Sequence, residues 1–381
     1  MILNVALIYG GKSVEHEVSV LTALQCFNAL NDEKYEGMLV YLTKNNDFYI
    51  GEVLSDLTNY ENESELLSKC KKVYLKRDLG LFYFESEGLF KKKYYFDVAL
   101  PLVHGKGVED GTIYSILSFY DIPYVGTSNV HAGVSQDKVL TKQVLESNNL
   151  SIVPYFWFYK DEYLDKKDFI NEKANELEYP LIVKASMLGS SIGVYKCDNE
   201  EELHQAIETV SHYDNKILVE KAIVNLREIN CALFKDGKDL VIGALEEVNK
   251  SDLILSYEDK YVKSNENKDK KIIPAKIDKT LENDIIDLAK KSYYLLNNSS
   301  LVRIDFIVDN DTNKVYFNEI NTIPGSLAHY LFDASGLIFP LLLDKIISRA
   351  IKDYLDNKLQ IKSYQTDLLK NFKSINNKIY K

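Results

Sequence analysis

Near its start the chain runs Ile2-Leu3-Asn4-Val5-Ala6-Leu7-Ile8-Tyr9 and then breaks on Gly10-Gly11. A nearly unbroken apolar run reads as a strand covered on both faces, because a half-solvated strand would alternate. A helix is expected from about Glu17, with Val20, Leu21, Leu24 and Phe27 on one face. Strand, glycine turn and helix in this order point to an open α/β domain with its working loops at the carboxyl ends of the strands. Lys72–Leu75 and Leu81–Phe84 read as strands flanking an Asp78-Leu79-Gly80 turn. Asp97–His104 reads as another buried strand, ending in the loop Gly105-Lys106-Gly107. A helix near Thr112–Phe119 and the segment Ile122–Gly126 close a first domain at residues 1–126.

A chain of 381 residues is too long for that domain alone. After Gly126 the pattern changes to α+β, divided here into 127–215 and 216–381. A helix is expected over 137–149, with strands at Tyr155–Tyr159, Leu181–Lys184, Val194–Cys197 and Ile217–Glu220. Asn230–Phe234 and Asp239–Glu246 read as a hairpin around Asp236-Gly237, and polar Lys263–Lys271 as a loop. A helix over Leu281–Leu296 precedes paired strands, Leu301–Val308 and Lys314–Asn321, and a helical tail starts at about Asp353. The balance of 46 basic against 57 acidic residues, net −11, argues against a nucleic-acid or anionic-membrane partner. The apolar start is too short for a signal peptide or a membrane span. The 4 cysteines include no C-x-x-C pair, so they are expected to be reduced thiols in the cytoplasm.

The paired strands carry the strongest chemistry. Alternation puts Arg303 and Asp305 on one face of the first strand and Glu319 and Asn321 on one face of the second. A turn over 309–314 sets Asp305 roughly across from Glu319. Opposed carboxylates repel unless a hard cation lies between them, and these oxygens suit Mg²⁺ bridged to phosphate. The alternative is a solvated face with Arg303 as counter-ion. Lys184 ends an apolar strand just before Leu188-Gly189-Ser190-Ser191-Ile192-Gly193. Successive loop N–H groups and hydroxyls can cradle phosphate, and the lysine, expected to have no other partner, supplies the neutralising charge. The alternative is a surface turn. Gly10-Gly11-Lys12-Ser13 looks like the end of a Walker A loop, but Ala6 stands where its first glycine should be, so that reading fails. Of Glu15 and Glu17, one can serve the helix start and the other a substrate ammonium. Leu218–Ile223 with Glu228 can offer an edge to adenine and a carboxylate to ribose, and Tyr257–Tyr261 is dense in functional groups.

In this order, Gly10–Ser19, His104–Gly111, Asp137-Lys138, Ile182–Lys184, Gly189–Gly193, Tyr257–Tyr261, Arg303–Asp305 and Asn318–Gly325 resemble the D-alanine–D-alanine ligase family of the ATP-grasp superfamily. The resemblance covers about residues 1–350. It implies an α/β N-terminal domain followed by α+β ATP-grasp domains, with the nucleotide between the central and C-terminal ones. It implies an ATP-dependent ligase that joins two D-alanines through an acyl phosphate for peptidoglycan precursors, acting as a cytoplasmic homodimer. Lys138, Lys184, Lys260 and the loop Gly189, Ser190, Ser191 would meet phosphates. Glu220, Lys221 and Ile223 would meet adenine, and Glu228 ribose. Asp305, Glu319 and Asn321 would hold two Mg²⁺ ions, or Mn²⁺. Glu17 would bind the first D-alanine's ammonium beside His104, while Arg303 and the Gly325 N–H stabilise the oxyanion.

The family pattern is not followed everywhere. Val108 replaces the usual glycine before Glu109-Asp110, and Tyr114-Ser115 stands where Gln-Gly is usual. Tyr330 stands where many members have a serine for the second substrate's carboxylate, so Ser326, Tyr330 and Leu331 are the acceptor-site candidates. The resemblance also implies a hydrogen-bonded set of Glu17, Ser190 and Tyr261 that goes with an amine acceptor, D-alanine first and D-serine second, rather than D-lactate. The competing readings are an ATP-grasp ligase that joins D-alanine to D-serine or D-lactate or activates another carboxylate, and a catalytically silent nucleotide-binding or regulatory protein. Retention of Lys138, Lys184, Lys260, Arg303, Asp305, Glu319 and Asn321 together argues against the silent one.

Overall fold

A computed structural model describes residues 2–189, 192–248, 271–296, 298, 300–361, 363 and 366. The first strand, β1 (Leu3–Gly10), is followed by α1 (His16–Ala29) and β2 (Tyr35–Leu42). Next come β3 (Phe48–Ile50), α2 (Glu63–Ser68), β4 (Lys71–Asp78), β5 (Leu81–Ser86), β6 (Lys93–Phe96) and β7 (Val98–Pro101). These strands form one seven-stranded sheet in the order β6-β5-β4-β3-β2-β1-β7, with β1 parallel to both β2 and β7. Val5 to Tyr9 are fully buried, as the unbroken apolar run requires. The turn after β1 needs glycine twice: Gly10 and Gly11 have φ of +94° and +95°. A Cβ on Gly10 would lie 2.3 Å from the Leu42 carbonyl oxygen. Buried Ser19 fixes this turn, accepting the Gly10 N–H (2.7 Å) and donating to the Leu102 carbonyl (2.6 Å). On α1 the buried face differs from the expected one. Leu21 is exposed, and small or polar Ser19, Thr22, Ala23 and Cys26 lie inside.

The chain continues through α3 (Thr112–Phe119), α4 (Asn129–Gln136) and α5 (Lys138–Glu146). The single helix expected over 137–149 is thus preceded by a separate one, because Asp137 is extended and caps α5, accepting the N–H groups of Val139 (3.0 Å) and Leu140 (3.1 Å). Its carboxylate also takes the Ser186 hydroxyl (2.6 Å) and pairs with Lys216 (2.5 Å), which pins α5 to the next sheet. That sheet comprises β8 (Tyr155–Tyr159), β9 (Leu181–Ala185), β10 (Val194–Cys197) and β11 (Lys216–Lys221), antiparallel in the order β10-β9-β11-β8. Two helices, α6 (Lys167–Leu177) and α7 (Glu200–Val210), bury Ile170, Leu203 and Ile207 against Val183 and Val219.

The third sheet contains β12 (Leu226–Asp236), β13 (Asp239–Ile242), β14 (Glu246–Val248), β15 (Lys271–Ile272), β16 (Val302–Asp309) and β17 (Val315–Asn321). The expected second arm of the 230–246 hairpin is two strands. Between them the Gly243 N–H bonds the Ala232 carbonyl (2.9 Å) and the Ala244 N–H bonds the Leu331 carbonyl (2.8 Å). The helix α8 (Lys279–Leu295) buries Leu281, Ile285 and Ala289 against Phe306 and Phe317. Short α9 (His329–Ala334) and long α10 (Phe339–Lys358) complete the described elements. Although it follows the third sheet, α10 joins the N-terminal core through Leu342, Leu343, Ile346 and Ile347, with an ion pair from Lys34 to Asp344 (2.7 Å). The expected tail at Asp353 coincides with the last turns of α10, which ends at Lys358, capped at Leu359. Among the described residues no helix is long and apolar enough to cross a membrane.

Candidate active site

Backbone pairing sets Asp305 opposite Glu319 and Arg303 opposite Asn321. The row extends across the sheet, since Asp305 also pairs with Asn230 and Asn230 with Glu246. Arg303 is indeed a counter-ion, gripping both oxygens of Asp305 at 2.7 and 2.8 Å. Asp305 is nonetheless 2% exposed, and its carboxyl is pushed up to about 6 by burial, with Glu319 and Glu228 adding to the rise and Arg303 opposing it. Asn321 donates to the same carboxylate at 3.3 Å. Among the described residues no set of three or more His, Cys, Asp or Glu side chains converges on one point. Two carboxylates and an amide oxygen fit Mg²⁺ when substrate phosphate oxygens and water complete its shell.

The lysines arrive from other elements. Lys138 opens α5 and donates to the Leu188 carbonyl (2.6 Å) while lying 3.2 Å from Glu319. Lys184, on β9, does not stand alone as expected. It pairs with Glu220 of β11 at 2.5 Å and reaches Asn318 of β17 at 3.3 Å. The other oxygen of Glu220 faces Lys142 at 2.5 Å, a residue the sequence reading passed over. Burial pushes the Glu220 carboxyl up, but its two lysines hold it below the ordinary range. Lys142 follows Lys138 by one helical turn, a spacing that was available as a signal. Lys221 donates to the Glu178 carbonyl (3.0 Å), Ile223 is half-buried, and Glu228 lies on the Asp305 side of the sheet. Ser190, Ser191, Lys260 and Tyr261 lie outside the described residues. Glu15, Glu109, Lys138, Gly189, Glu319 and Asn321 line one pocket, which brings the N-terminal domain to both later sheets.

On the N-terminal side Glu17 is exposed in the first turn of α1. His104 is 3% exposed, its Nε2 lies 3.1 Å from the Thr22 hydroxyl, and burial lowers its pKa to about 4, leaving it neutral near pH 7. The Thr22 oxygen also accepts the Ser326 N–H (3.0 Å), so this threonine, which nothing in the sequence singled out, couples the two loops. Glu109 accepts the N–H groups of Gly105 (3.0 Å) and Ile323 (2.9 Å) and the Thr322 hydroxyl (3.1 Å). The family departures have local compensation. Val108 is buried where a Cβ on Gly11 would sit 2.6 Å from its Cγ1, and buried Tyr114 occupies space beside Gly126, where a Cβ would lie 2.3 Å from its ring.

Beyond Gly325 the backbone takes an unusual course, with φ of +53°, +50° and +46° at Ser326, Leu327 and Ala328. The Tyr330 hydroxyl donates to Glu246 (3.1 Å), a fully buried carboxylate that also accepts from Asn230 (2.8 Å) and pairs with Lys271 (3.1 Å). Leu331 is fully buried beneath Gly243, so it contributes packing, whereas Ser326 is half-buried. Glu246 was not among the expected site residues, because its partners come from distant segments.

Profiles of known families match this chain over residues 4–127, described as the D-ala D-ala ligase N-terminus, and 144–348, the D-ala D-ala ligase C-terminus. A D-alanine--D-alanine ligase of Thermosipho africanus is 38% identical over 376 residues, covering 96% of this chain and 98% of its own. One from Staphylococcus epidermidis is 35% identical over 364 residues, covering 93% and 97%. Among solved structures, the VanG D-Ala:D-Ser ligase from Enterococcus faecalis superposes with a TM-score of 0.76 at 27% identity, over 92% of this chain and 100% of that one. The D-alanine-D-alanine ligase from Helicobacter pylori gives 0.72 at 28% identity, over 90% and 98%.

Proposed function

The chain belongs to the D-alanine–D-alanine ligase family, and from this premise and the cleft geometry we propose that it joins two D-alanines at the expense of ATP. The observation that carries the reading is the meeting of Lys138, Lys184, Asn318 and Glu319, where helix α5, the central sheet and the third sheet converge. A nucleotide between those sheets finds phosphate-neutralising lysines on one side and cation-holding oxygens on the other. Asp305, Glu319 and Asn321 would hold Mg²⁺, two ions in this reading and replaceable by Mn²⁺, which supplies charge neutralisation to the phosphates.

A carboxylate is a poor acyl donor. The first D-alanine, its ammonium at Glu17 and neutral His104 alongside, attacks the γ-phosphorus through a carboxylate oxygen; the bond to ADP breaks and an acyl phosphate forms. Lys138, Lys184, Lys260 and the Gly189–Ser191 loop bind the phosphates, Glu220, Lys221 and Ile223 the adenine, and Glu228 the ribose. The second D-alanine attacks as the free amine. Phosphate leaves with the former carboxylate oxygen, and the amine proton goes to solvent. Arg303 and the Gly325 N–H face the tetrahedral oxyanion, where losing one such donor costs about 10²–10³-fold in rate. Ser326 remains for the acceptor carboxylate, and the Glu17, Ser190 and Tyr261 set keeps the acceptor an amine. The enzyme works as a cytoplasmic homodimer supplying peptidoglycan precursors.

Phosphate release with ATP, Mg²⁺ and single or paired D-amino acids tests this reading. D-alanine alone is expected to support turnover that rises with pH, D-serine less well, and D-lactate negligibly near pH 7. Equal turnover with D-lactate as acceptor would refute the amine assignment, and ATP turnover indifferent to D-alanine would refute the ligase.

A further inference from the structure

Lys142 is 1% exposed, and its ammonium and the Glu220 Oε1 facing it have no other hydrogen-bond partner. Lys184 holds the second oxygen of the same carboxylate, so two buried lysines share one glutamate. The trio itself carries one net positive charge in a site that disfavours unbalanced charge, and the remaining carboxylate acting on Lys142, Glu146, is exposed and hydrogen-bonded to the Tyr155 hydroxyl (3.1 Å). Tyr155 closes the far side, its ring 5.4 Å from the Lys142 ammonium. We propose that Lys142 is a positioning residue for nucleotide binding: by sharing the charge of Glu220 it weakens the hold of that carboxylate on Lys184, so that Lys184 can turn to a phosphate. The proposal rests on the reading of Lys184 as a phosphate ligand.

The physical reason is competition. Without Lys142, Glu220 and Lys184 would form a balanced buried pair, the arrangement in which Coulomb attraction is least screened, and a phosphate would have to break it. With Lys142 present, Glu220 remains balanced after Lys184 leaves, and the incoming phosphate cancels the surplus charge. Asp137 keeps this geometry by capping α5 and anchoring it to Lys216, so the helix that presents Lys138 also presents Lys142 one turn later.

Calorimetric titration with MgATP on the full chain tests this, using Lys142→Met, Lys142→Arg, Glu220→Gln and the double variant Lys142→Met/Glu220→Gln, each checked for cooperative melting. Lys142→Met is expected to weaken ATP binding about tenfold or more while leaving the KM for D-alanine unchanged, and Lys142→Arg, which keeps the charge, to stay within about threefold of the wild type. Adding Lys142→Met to Glu220→Gln should change ATP affinity less than about threefold, because the amide cannot capture Lys184. Wild-type affinity in Lys142→Met, or losses that multiply in the double variant, would overturn the proposal and leave the ligase reading intact. A wild-type protein that binds no ATP would overturn both.

Discussion

Replacing Glu109 with glutamine should remove a specific pH dependence from the stability of this protein. Glu109 is 6% exposed and ties the 104–111 loop to Thr322 and Ile323, just after the strand that carries Glu319. Burial, and then the charge of Glu15, push its carboxyl from 4.5 up to about 7, against the hydrogen bonds it accepts. Below pH 4.5 the carboxyl is protonated in both folded and unfolded chains, so the stabilising contribution is fully present. Between 4.5 and about 7 the unfolded chain ionises first, and that contribution is lost as pH rises through the folded value. The shift corresponds to about 3 kcal/mol at most. Urea unfolding of wild type and Glu109→Gln between pH 4.5 and 8 isolates the effect, because other titrating groups cancel in the difference. Stability of the variant relative to wild type should climb by about 2–3 kcal/mol over that range. A difference that does not change with pH would show that Glu109 is ionised at its ordinary value and would remove the reasoning.

Gly10→Ala should destabilise the protein by at least ~2 kcal/mol, since φ is +94° and the new Cβ would meet the Leu42 carbonyl; Gly237→Ala, with φ +62° and open space, should lose only about 1 kcal/mol, both read from urea midpoints. Glu319→Gln should abolish ATP-dependent phosphate release while the protein still melts cooperatively; early melting with unchanged turnover per folded molecule would remove Glu319 from the metal site. Tyr330→Phe should raise the KM for the acceptor by less than about threefold, because its hydroxyl already serves Glu246. A tenfold rise, about 1.4 kcal/mol, would instead make Tyr330 a ligand of the acceptor carboxylate.

What could be read beforehand depended on how local the physics was. The β1 run, its glycine turn and the opposition of Asp305 to Glu319 follow from strand periodicity and one short turn, and each stands at its expected place. Strand β2, the short helix α4 and the polar-faced helices α6 and α7 were not read, whereas the helix expected from 137 begins at Lys138 behind its Asp137 cap. Long-range charge pairing escaped altogether. Lys184 was expected to have no protein partner, yet Glu220, 36 positions later in the chain, pairs with it and with Lys142. Glu246 likewise gains meaning only beside Asn230, Lys271 and Tyr330, which the fold of the third sheet brings together. Val108 and Tyr114 look like departures in the sequence, but in space they fill volume beside Gly11 and Gly126.

If D-alanine is activated as an acyl phosphate, one of its carboxylate oxygens ends in the released phosphate when the peptide bond forms. D-alanine labelled with ¹⁸O in its carboxylate, incubated with the protein, ATP and Mg²⁺, tests it by mass spectrometry of the released phosphate and the dipeptide. One labelled oxygen is expected in each phosphate, with ADP, phosphate and D-alanyl-D-alanine formed in equal amounts. Phosphate free of label, or released without dipeptide, would contradict it.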